Sequence, residues 1–459
     1  MRSLVYRRYE KKFKDSNAPG GSDNAGVLDY PRFVYKLFLG FSLYLTIPLI
    51  EVPLLGLSIS APIFFMIALP VVFQSQNPWF GRYQRWIFAA LFIWLGIFIS
   101  AIMNGLASGG EKVDGDTAIG LIQFAYWVLV FVVTTYLVSS QKNLTDRLMN
   151  ILAFGIALLG FLRLGEAVFG GAIGAWTRLE FMSQNGYAIQ FSMFFPLLLS
   201  FSFQDKKVKR ARLAAFVVLA AILINGSRGG WIAVLVSTAV FFIMYLITQR
   251  QYSRTVSTLL IFSGMVWGGI VFAPQAVVVA FQDRLSTVER LEEDKSYAIR
   301  QLMIQRGLRL FQNNPLIGVG ISRWYKESVP LQIPRILQYE TQDYFEKKSS
   351  HNSYVSYLAE NGVIGSAPLA FFLLLLLLGG FRSALRLARR GMLWALGAYA
   401  GFIGMSIHLW GLAGLTGTST WFIYGLVAAI IEIDRQTGKQ EELENKNAPR
   451  LSLSRPRRF

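Results

Sequence analysis

His351-Asn352-Ser353-Tyr354-Val355-Ser356-Tyr357-Leu358-Ala359-Glu360-Asn361-Gly362-Val363-Ile364-Gly365 closes the longest polar interval of the chain and opens an apolar run. An imidazole, an Asn-Ser pair able to cap a helix, a carboxylate and glycines arrive together where the sequence turns from hydrophilic to hydrophobic. The interval itself begins near Ala273. Polar sequence of that length between hydrophobic runs reads as a large loop outside a bilayer, carried by a rigid scaffold and suited to hold functional residues.

Outward from this loop the chain is apolar. It has 459 residues, 53% of them hydrophobic. Hydrophobic runs recur at roughly 33–50, 54–73, 86–104, 118–138, 148–170, 188–203, 211–225, 230–247, 256–273, 363–380, 391–410 and 414–432, which predicts about twelve spans. The expected fold is an all-α integral membrane protein, a bundle of about 12 transmembrane helices with one large, partly helical loop. The expected division is a basic tail over about 1–32, nine spans over 33–273, the loop over 274–362, three spans over 363–432 and a second basic tail over 433–459.

The formal charge of +18 is therefore a topology signal before it is a nucleic-acid signal, and no nucleic-acid partner is expected. Alternate loops carry Arg82 and Arg85; Lys142 and Arg147; Lys206, Lys207, Lys209, Arg210 and Arg212; Arg250 and Arg254; and Arg382, Arg386, Arg389 and Arg390. The short loops between them hold only Lys112, Arg178 and Arg228. Basic loops stay in the cytoplasm, so both termini are expected there and the large loop on the opposite side. Long loops escape this rule, and the cations of 274–362 do not argue against it.

With 0 Cys and 2 His, thiol chemistry, disulfides and a His-rich metal centre are excluded. Glu292-Glu293-Asp294 is adjacent in sequence and makes a poor metal cage, so neither a metal nor another cofactor is expected. There is no Walker-type phosphate loop. Apolar residues at Ile299, Leu302, Met303, Leu310 and Phe311 predict an amphipathic helix near 297–312 lying on the membrane surface, ended by Asn313-Asn314-Pro315.

Topology selects the candidates. Arg228 sits in Asn225-Gly226-Ser227-Arg228-Gly229-Gly230, a tight turn between apolar runs, where desolvation costs a few kcal/mol unless an anion or carbonyls receive it. Lipid phosphate would also satisfy it. Arg178, with Asn185 following, lies in another outward turn, and Arg300 on the loop helix. His351 is either a general base or a local hydrogen-bonding residue beside the Asn352 cap. Glu360, nine positions on, faces away from it and reads as structural, paired with an arginine. Arg163 and Glu166 predict an ion pair inside the fifth span. His408 is a second, weaker base candidate.

Arg178 with Asn185, Ser227-Arg228-Gly229-Gly230, Arg300 followed by Asn314-Pro315-Leu316-Ile317-Gly318-Val319-Gly320, then His351-Asn352-Ser353-Tyr354 with Glu360-Asn361-Gly362 and Gly365 resemble the O-antigen ligase and polymerase superfamily. The motifs span roughly 170–380. The resemblance implies a bacterial inner-membrane glycosyltransferase of the GT-C type, acting on the periplasmic side without a metal. It implies an undecaprenyl pyrophosphate-linked glycan as donor, and as acceptor either the lipid A core (ligases) or another lipid-linked repeat (polymerases). Arg178, Arg228 and Arg300 would contact the pyrophosphate and His351 would act at the acceptor hydroxyl, with Asn185, Asn352, Tyr354 and Glu360 in support and Arg300 also part of the catalytic set.

The chemistry is compatible: a sugar pyrophosphate is already activated, and guanidinium groups bind phosphate oxygens without deprotonating. The expectation is inverting transfer, ligase-like in the first instance, with an exopolysaccharide or O-antigen polymerase as the alternative. A polytopic transporter or flippase is the competing class, because spans and an intramembrane ion pair suit that too. The absence of a two-fold repeat and the polar investment in one loop count against it. A non-catalytic scaffold for polysaccharide assembly is a third possibility.

Overall fold

The computed structural model describes residues 32–47, 60–72, 83–140, 142–169, 182–203, 208–272, 294–412, 414–415 and 417–447, with isolated positions at 279, 282 and 286. Among these residues the chain is helical and contains no strand. In order the helices are α1 (Arg32–Thr46), α2 (Ser60–Val72), α3 (Gln84–Ala107), α4 (Gly115–Ser140), α5 (Lys142–Phe169), α6 (Gln184–Phe201), α7 (Val208–Asn225), α8 (Arg228–Gln249), α9 (Tyr252–Phe272), α10 (Lys295–Asn313), α11 (Gln342–Glu346), α12 (Ser353–Arg389), α13 (Trp394–His408) and α14 (Thr418–Asn447).

The described parts of the hydrophobic runs fall on these helices or the turns at their ends, while 48–50, 54–59, 73, 170, 273 and 416 lie outside the described residues. Among the described residues, five stretches are long and apolar enough to cross a membrane: Gln84–Ala107, Gly115–Ser140, Leu144–Glu166, Arg228–Gln249 and Ser353–Arg389. Large apolar side chains remain exposed on them, among them Phe88, Phe92, Leu235 and Phe371, as expected where acyl chains replace water. Inside, an aromatic cluster ties α4, α12 and α14 together, with Trp421 edge-on to Phe124 at 5.1 Å between centroids and stacked on Phe372 at 6.3 Å. α13 lies in close contact with α6: a Cβ at Gly401 would run into the Met193 carbonyl.

At the end of the bundle where α3 begins and α12 ends, basic residues are consumed in ion pairs. The buried Glu432 carboxylate accepts from Arg85 and from the Trp86 indole (2.7 Å). Asp434 receives Arg386 and Arg390, and Glu441 receives Arg390 at 2.7 Å. These contacts explain why α14 continues to Asn447, past the apolar run expected to stop near 432.

The loop between α9 and α12 builds a small core of its own. Leu302, Met303 and Leu310 of α10 pack with Val319, Trp324, Val329, Leu337, Phe345 and Ala359. The amphipathic helix expected to lie on the membrane surface is present, but its apolar face is buried in this core. The loop supplies its own hydrophobic partners, so that face is not offered to lipid. Arg306, fully buried, donates to the carbonyls of Trp324 (2.7 Å), Glu327 (2.9 Å), Phe345 (3.4 Å) and Glu346 (3.0 Å), and lies 5.0 Å from the Trp324 ring. One guanidinium thereby fastens the 324–327 turn and the end of α11 to α10.

α12 is interrupted at Gly362, whose φ of 60° and ψ of −165° leave the helical region. The break frees carbonyls before it and amides after it, and the 314–320 segment takes up both. Val319 N donates to Ala359 O and Gly320 N to Glu360 O, each at 2.9 Å, while Val363 N donates to Pro315 O (2.9 Å) and Ile364 N to Leu316 O (3.0 Å). Asn-Pro-Leu-Ile-Gly-Val-Gly is thus threaded through the gap in the helix.

Candidate active site

Two serine-capped turns frame the site. Ser183 caps α6, its hydroxyl accepting from Gly186 N at 3.1 Å, and Ser227 caps α8 in the same way from Gly230 N at 3.3 Å. The caps are joined, since Ser227 Oγ donates to Asn185 Oδ1 at 3.3 Å. Beneath them the ion pair expected in α5 is present: Arg163 Nη1 and Glu166 Oε2 are 3.0 Å apart and both side chains are buried. Glu166 also accepts from Tyr187 OH at 2.7 Å, and Arg163 Nε donates to Asn225 Oδ1 at 3.2 Å. Asn225 in turn donates to Gln184 O at 2.8 Å. The network sets the start of α6 against the end of α7, and so fixes the turn from which Arg228 projects.

Arg228 donates to Asp294, and the two form an ion pair. Asp294 is the N-cap of α10: its Oδ1 accepts from Ser296 N (2.8 Å) and Tyr297 N (3.3 Å). Burial pushes this carboxyl up, but the Arg228 hydrogen bond and charge and the two amides outweigh it, so its pKa falls below the usual range. One aspartate therefore joins the α8 arginine to the helix that carries Arg300. Arg300 is half-buried; burial first, then the positive charge of Arg228, lower its pKa, with Asp294 opposing. Two guanidinium groups are thereby brought within electrostatic reach of each other around Asp294, and such a pair suits a multivalent anion.

His351 lies within electrostatic reach of Arg300. It occupies the left-handed region with φ 49°, uncommon for a residue with a side chain and costing of order 1 kcal/mol. The turn is locked by Ser350 Oγ, which donates to Asn352 O at 3.0 Å, and by Asn352, which caps α12 by accepting from Tyr354 N and Val355 N. Nδ1 of His351 is buried with no hydrogen-bond partner. Burial, then the charges of Arg300 and Lys348, hold its pKa below the ordinary value, so the imidazole is neutral at neutral pH and able to take a proton. Ser353 N donates to Leu409 O at 2.9 Å, and Ser353 Oγ accepts from Gly414 N at 2.8 Å, which brings the turn after α13 alongside.

The structure thus gathers Arg228, Arg300 and His351 at one end of the helices, with Asn185 in the paired caps and Asn352 in the His351 turn. Tyr354 supports from the flank, donating to Ser406 O at 2.9 Å and lying 5.5 Å from the Trp410 ring. Arg178 lies outside the described residues. Glu360 holds structure, as expected, but its partner differs: its carboxylate accepts from Trp324 N at 2.9 Å and pairs with no arginine among the described residues, because the threaded 318–324 segment turns its amides towards α12. Sequence reasoning did not single out Asp294, although an aspartate immediately before a predicted amphipathic helix is an N-cap signal. Nor did it single out Asn225, whose role depends on contacts far along the chain. Among the described residues no cluster of three or more His, Cys, Asp or Glu could hold a metal ion.

No curated protein matches this chain. The O-antigen ligase family model matches residues 213–370, a segment containing Arg228, Arg300, His351 and the threaded break in α12, and leaving Asn185 and His408 outside. The match supports, over this segment, the resemblance to the O-antigen ligase and polymerase superfamily.

Proposed function

We propose that the protein transfers a glycan from undecaprenyl pyrophosphate to an acceptor hydroxyl at the periplasmic face of the bacterial inner membrane, as a GT-C type glycosyltransferase with both termini cytoplasmic. The observation that carries this is the continuous linkage from Arg228 through Asp294 to the helix of Arg300, with a neutral imidazole at His351 beside it. Arg228 and Arg300, with Arg178 as a third member, hold the diphosphate. The acceptor oxygen attacks C1 of the donor sugar as the C1–O bond breaks, and the electron pair leaves on the phosphate oxygen. The acceptor proton passes to His351. Displacement from the opposite face inverts the anomeric centre.

General-base assistance of this kind is worth about 10²–10⁴-fold, and a guanidinium placed where charge develops contributes on a similar scale. The positive charge that a metal supplies elsewhere is here supplied by arginines. The acceptor separates ligation from polymerisation, and a lipid A core is the first expectation. Purified protein in sealed vesicles, given labelled lipid-linked donor and acceptor on one side only, tests the class. Product formed without movement of substrate across the bilayer supports a transferase. Movement without product would mean a transporter.

A further inference from the structure

The turn that follows α13, residues 409–412, is fastened to the start of α12 by one residue. Ser353 N donates to Leu409 O at 2.9 Å, and Ser353 Oγ donates to Leu412 O at 2.5 Å while accepting from Gly414 N (2.8 Å) and Leu415 N (3.2 Å). Because Ser353 follows His351-Asn352 directly, this turn is held in register with the His351 turn. Trp410 stands in the middle of it and is 64% exposed. Tyr354 braces the indole: the two rings are 5.5 Å apart and tilted by 52°, and the Tyr354 hydroxyl is fixed by donating to Ser406 O at 2.9 Å. Arg300 adjoins the next residue, since a Cβ on Gly411 would stand 3.7 Å from its Nη1.

Trp86, Trp127, Trp324, Trp394 and Trp421 are buried, whereas Trp410 keeps an open indole beside the groups assigned to the reaction. In the proposed transfer, the sugar whose C1 is attacked is bonded to the diphosphate held by Arg228 and Arg300. It is approached by the hydroxyl whose proton passes to His351. That sugar therefore occupies the space joining Arg300 to His351, and the 409–412 turn is tied to both. A rigid indole offers a flat, electron-rich face, and the C–H bonds on one side of a pyranose ring present the complementary positive edge.

We propose that Trp410, braced by Tyr354, is the platform on which the first sugar of the donor stacks while its C1 is attacked. This rests on the glycan-transfer reading and adds to it a residue that selects the sugar, where the arginines recognise only the diphosphate. A pyranose with an uncrowded C–H face fits the indole; axial hydroxyls on that face hold the ring away from it. Trp410 lies outside the segment 213–370 that matches the family model, so the preference belongs to this chain's own sequence.

The test compares two ligands on the purified full-length protein: labelled undecaprenyl pyrophosphate-linked glycan as donor, and undecaprenyl pyrophosphate as inhibitor. They share tail and diphosphate and differ in the sugar. Trp410→Ala should lower kcat/KM for the donor about tenfold, the loss expected for one aromatic stacking contact and its buried area, and leave the inhibition constant of undecaprenyl pyrophosphate within about twofold of wild type. Trp410→Tyr keeps a flat ring and should recover most of the loss; Trp410→Leu keeps apolarity without the ring and should recover little. Should the Ala variant not fold, the Tyr and Leu pair makes the same comparison. Unchanged kcat/KM in the Ala variant, equal shifts for donor and inhibitor, or recovery by Leu as full as by Tyr would make Trp410 an indole of the membrane interface and overturn the proposal. If the wild-type protein neither transfers glycan nor responds to undecaprenyl pyrophosphate, the underlying functional reading fails instead.

Discussion

Gly318 and Gly362 meet backbone to backbone inside the break in α12, so closely that a Cβ on Gly362 would overlap the Gly318 amide nitrogen, and one on Gly318 would overlap the Glu360 carbonyl. Both have positive φ, 65° and 60°. Their proximity joins two motifs that lie far apart in sequence and sets the direction in which the His351 end of α12 leaves the membrane. Alanine at either position meets both a disfavoured backbone region and a steric overlap, and should cost roughly 2 kcal/mol or more. Thermal unfolding of the purified variants in detergent checks this; transitions matching wild type would show that the threading contributes little.

Arg306 saturates four carbonyls in the core of the loop domain. Arg306→Met should release the 324–346 segment and destabilise the loop domain by roughly 3 kcal/mol or more, since several buried acceptors lose their donor together. Arg306→Lys should recover only part of this, because an ammonium cannot reproduce the planar fork. Limited proteolysis reads the effect: rapid cleavage within 320–350 is expected in the Met variant, and wild-type resistance would contradict it.

The helical elements were legible because apolar runs and charge breaks are local signals. The threading was not legible, because Val319 bonds to Ala359 and Pro315 to Val363 across distances that no local pattern reports. A hint lay in Gly318 and Gly362, glycines at a predicted turn and a predicted helix start whose positive φ explains their presence. Asp294 was passed over because it was weighed only as a metal ligand beside Glu292 and Glu293. The buried apolar face of α10 was read as lipid-facing because amphipathicity reports that a face is covered, not what covers it.

On the proposed reading, in which His351 takes the acceptor proton, the pH dependence of transfer follows from that residue. A general base works in its neutral form, so activity should rise with pH through the His351 pKa, which lies below the ordinary histidine value of about 6.5. Lys348→Met removes one of the charges that depress it while leaving the phosphate contacts in place, so the acid limb of the kcat/KM profile should move to higher pH. The stability sign agrees: the neutral form is favoured in the folded state, so this contribution is present above the unfolded pKa and lost as pH falls through the folded one. An acid limb unmoved in Lys348→Met would separate that limb from His351.

The Arg163–Glu166–Asn225 network holds the turn before Arg228 against α6, which on the proposed reading makes these positioning residues. Asn225→Ala unfastens the α7–α8 turn from Gln184 and leaves Arg163 Nε without its acceptor, while Nη1 keeps Glu166. Its effect should fall chiefly on kcat, by about tenfold, as expected when a transition-state contact is misplaced. Asn225→Asp, which still accepts from Arg163, should recover part of the loss. A pure KM effect, or equal loss in both variants, would point away from positioning.

The most direct measurement is release of undecaprenyl pyrophosphate from labelled lipid-linked donor in the presence of acceptor, comparing wild type with Arg228→Ala and His351→Ala at equal amounts of folded protein. A shared site for diphosphate and acceptor predicts a fall of at least about 100-fold in each variant. Wild-type turnover in both would contradict it.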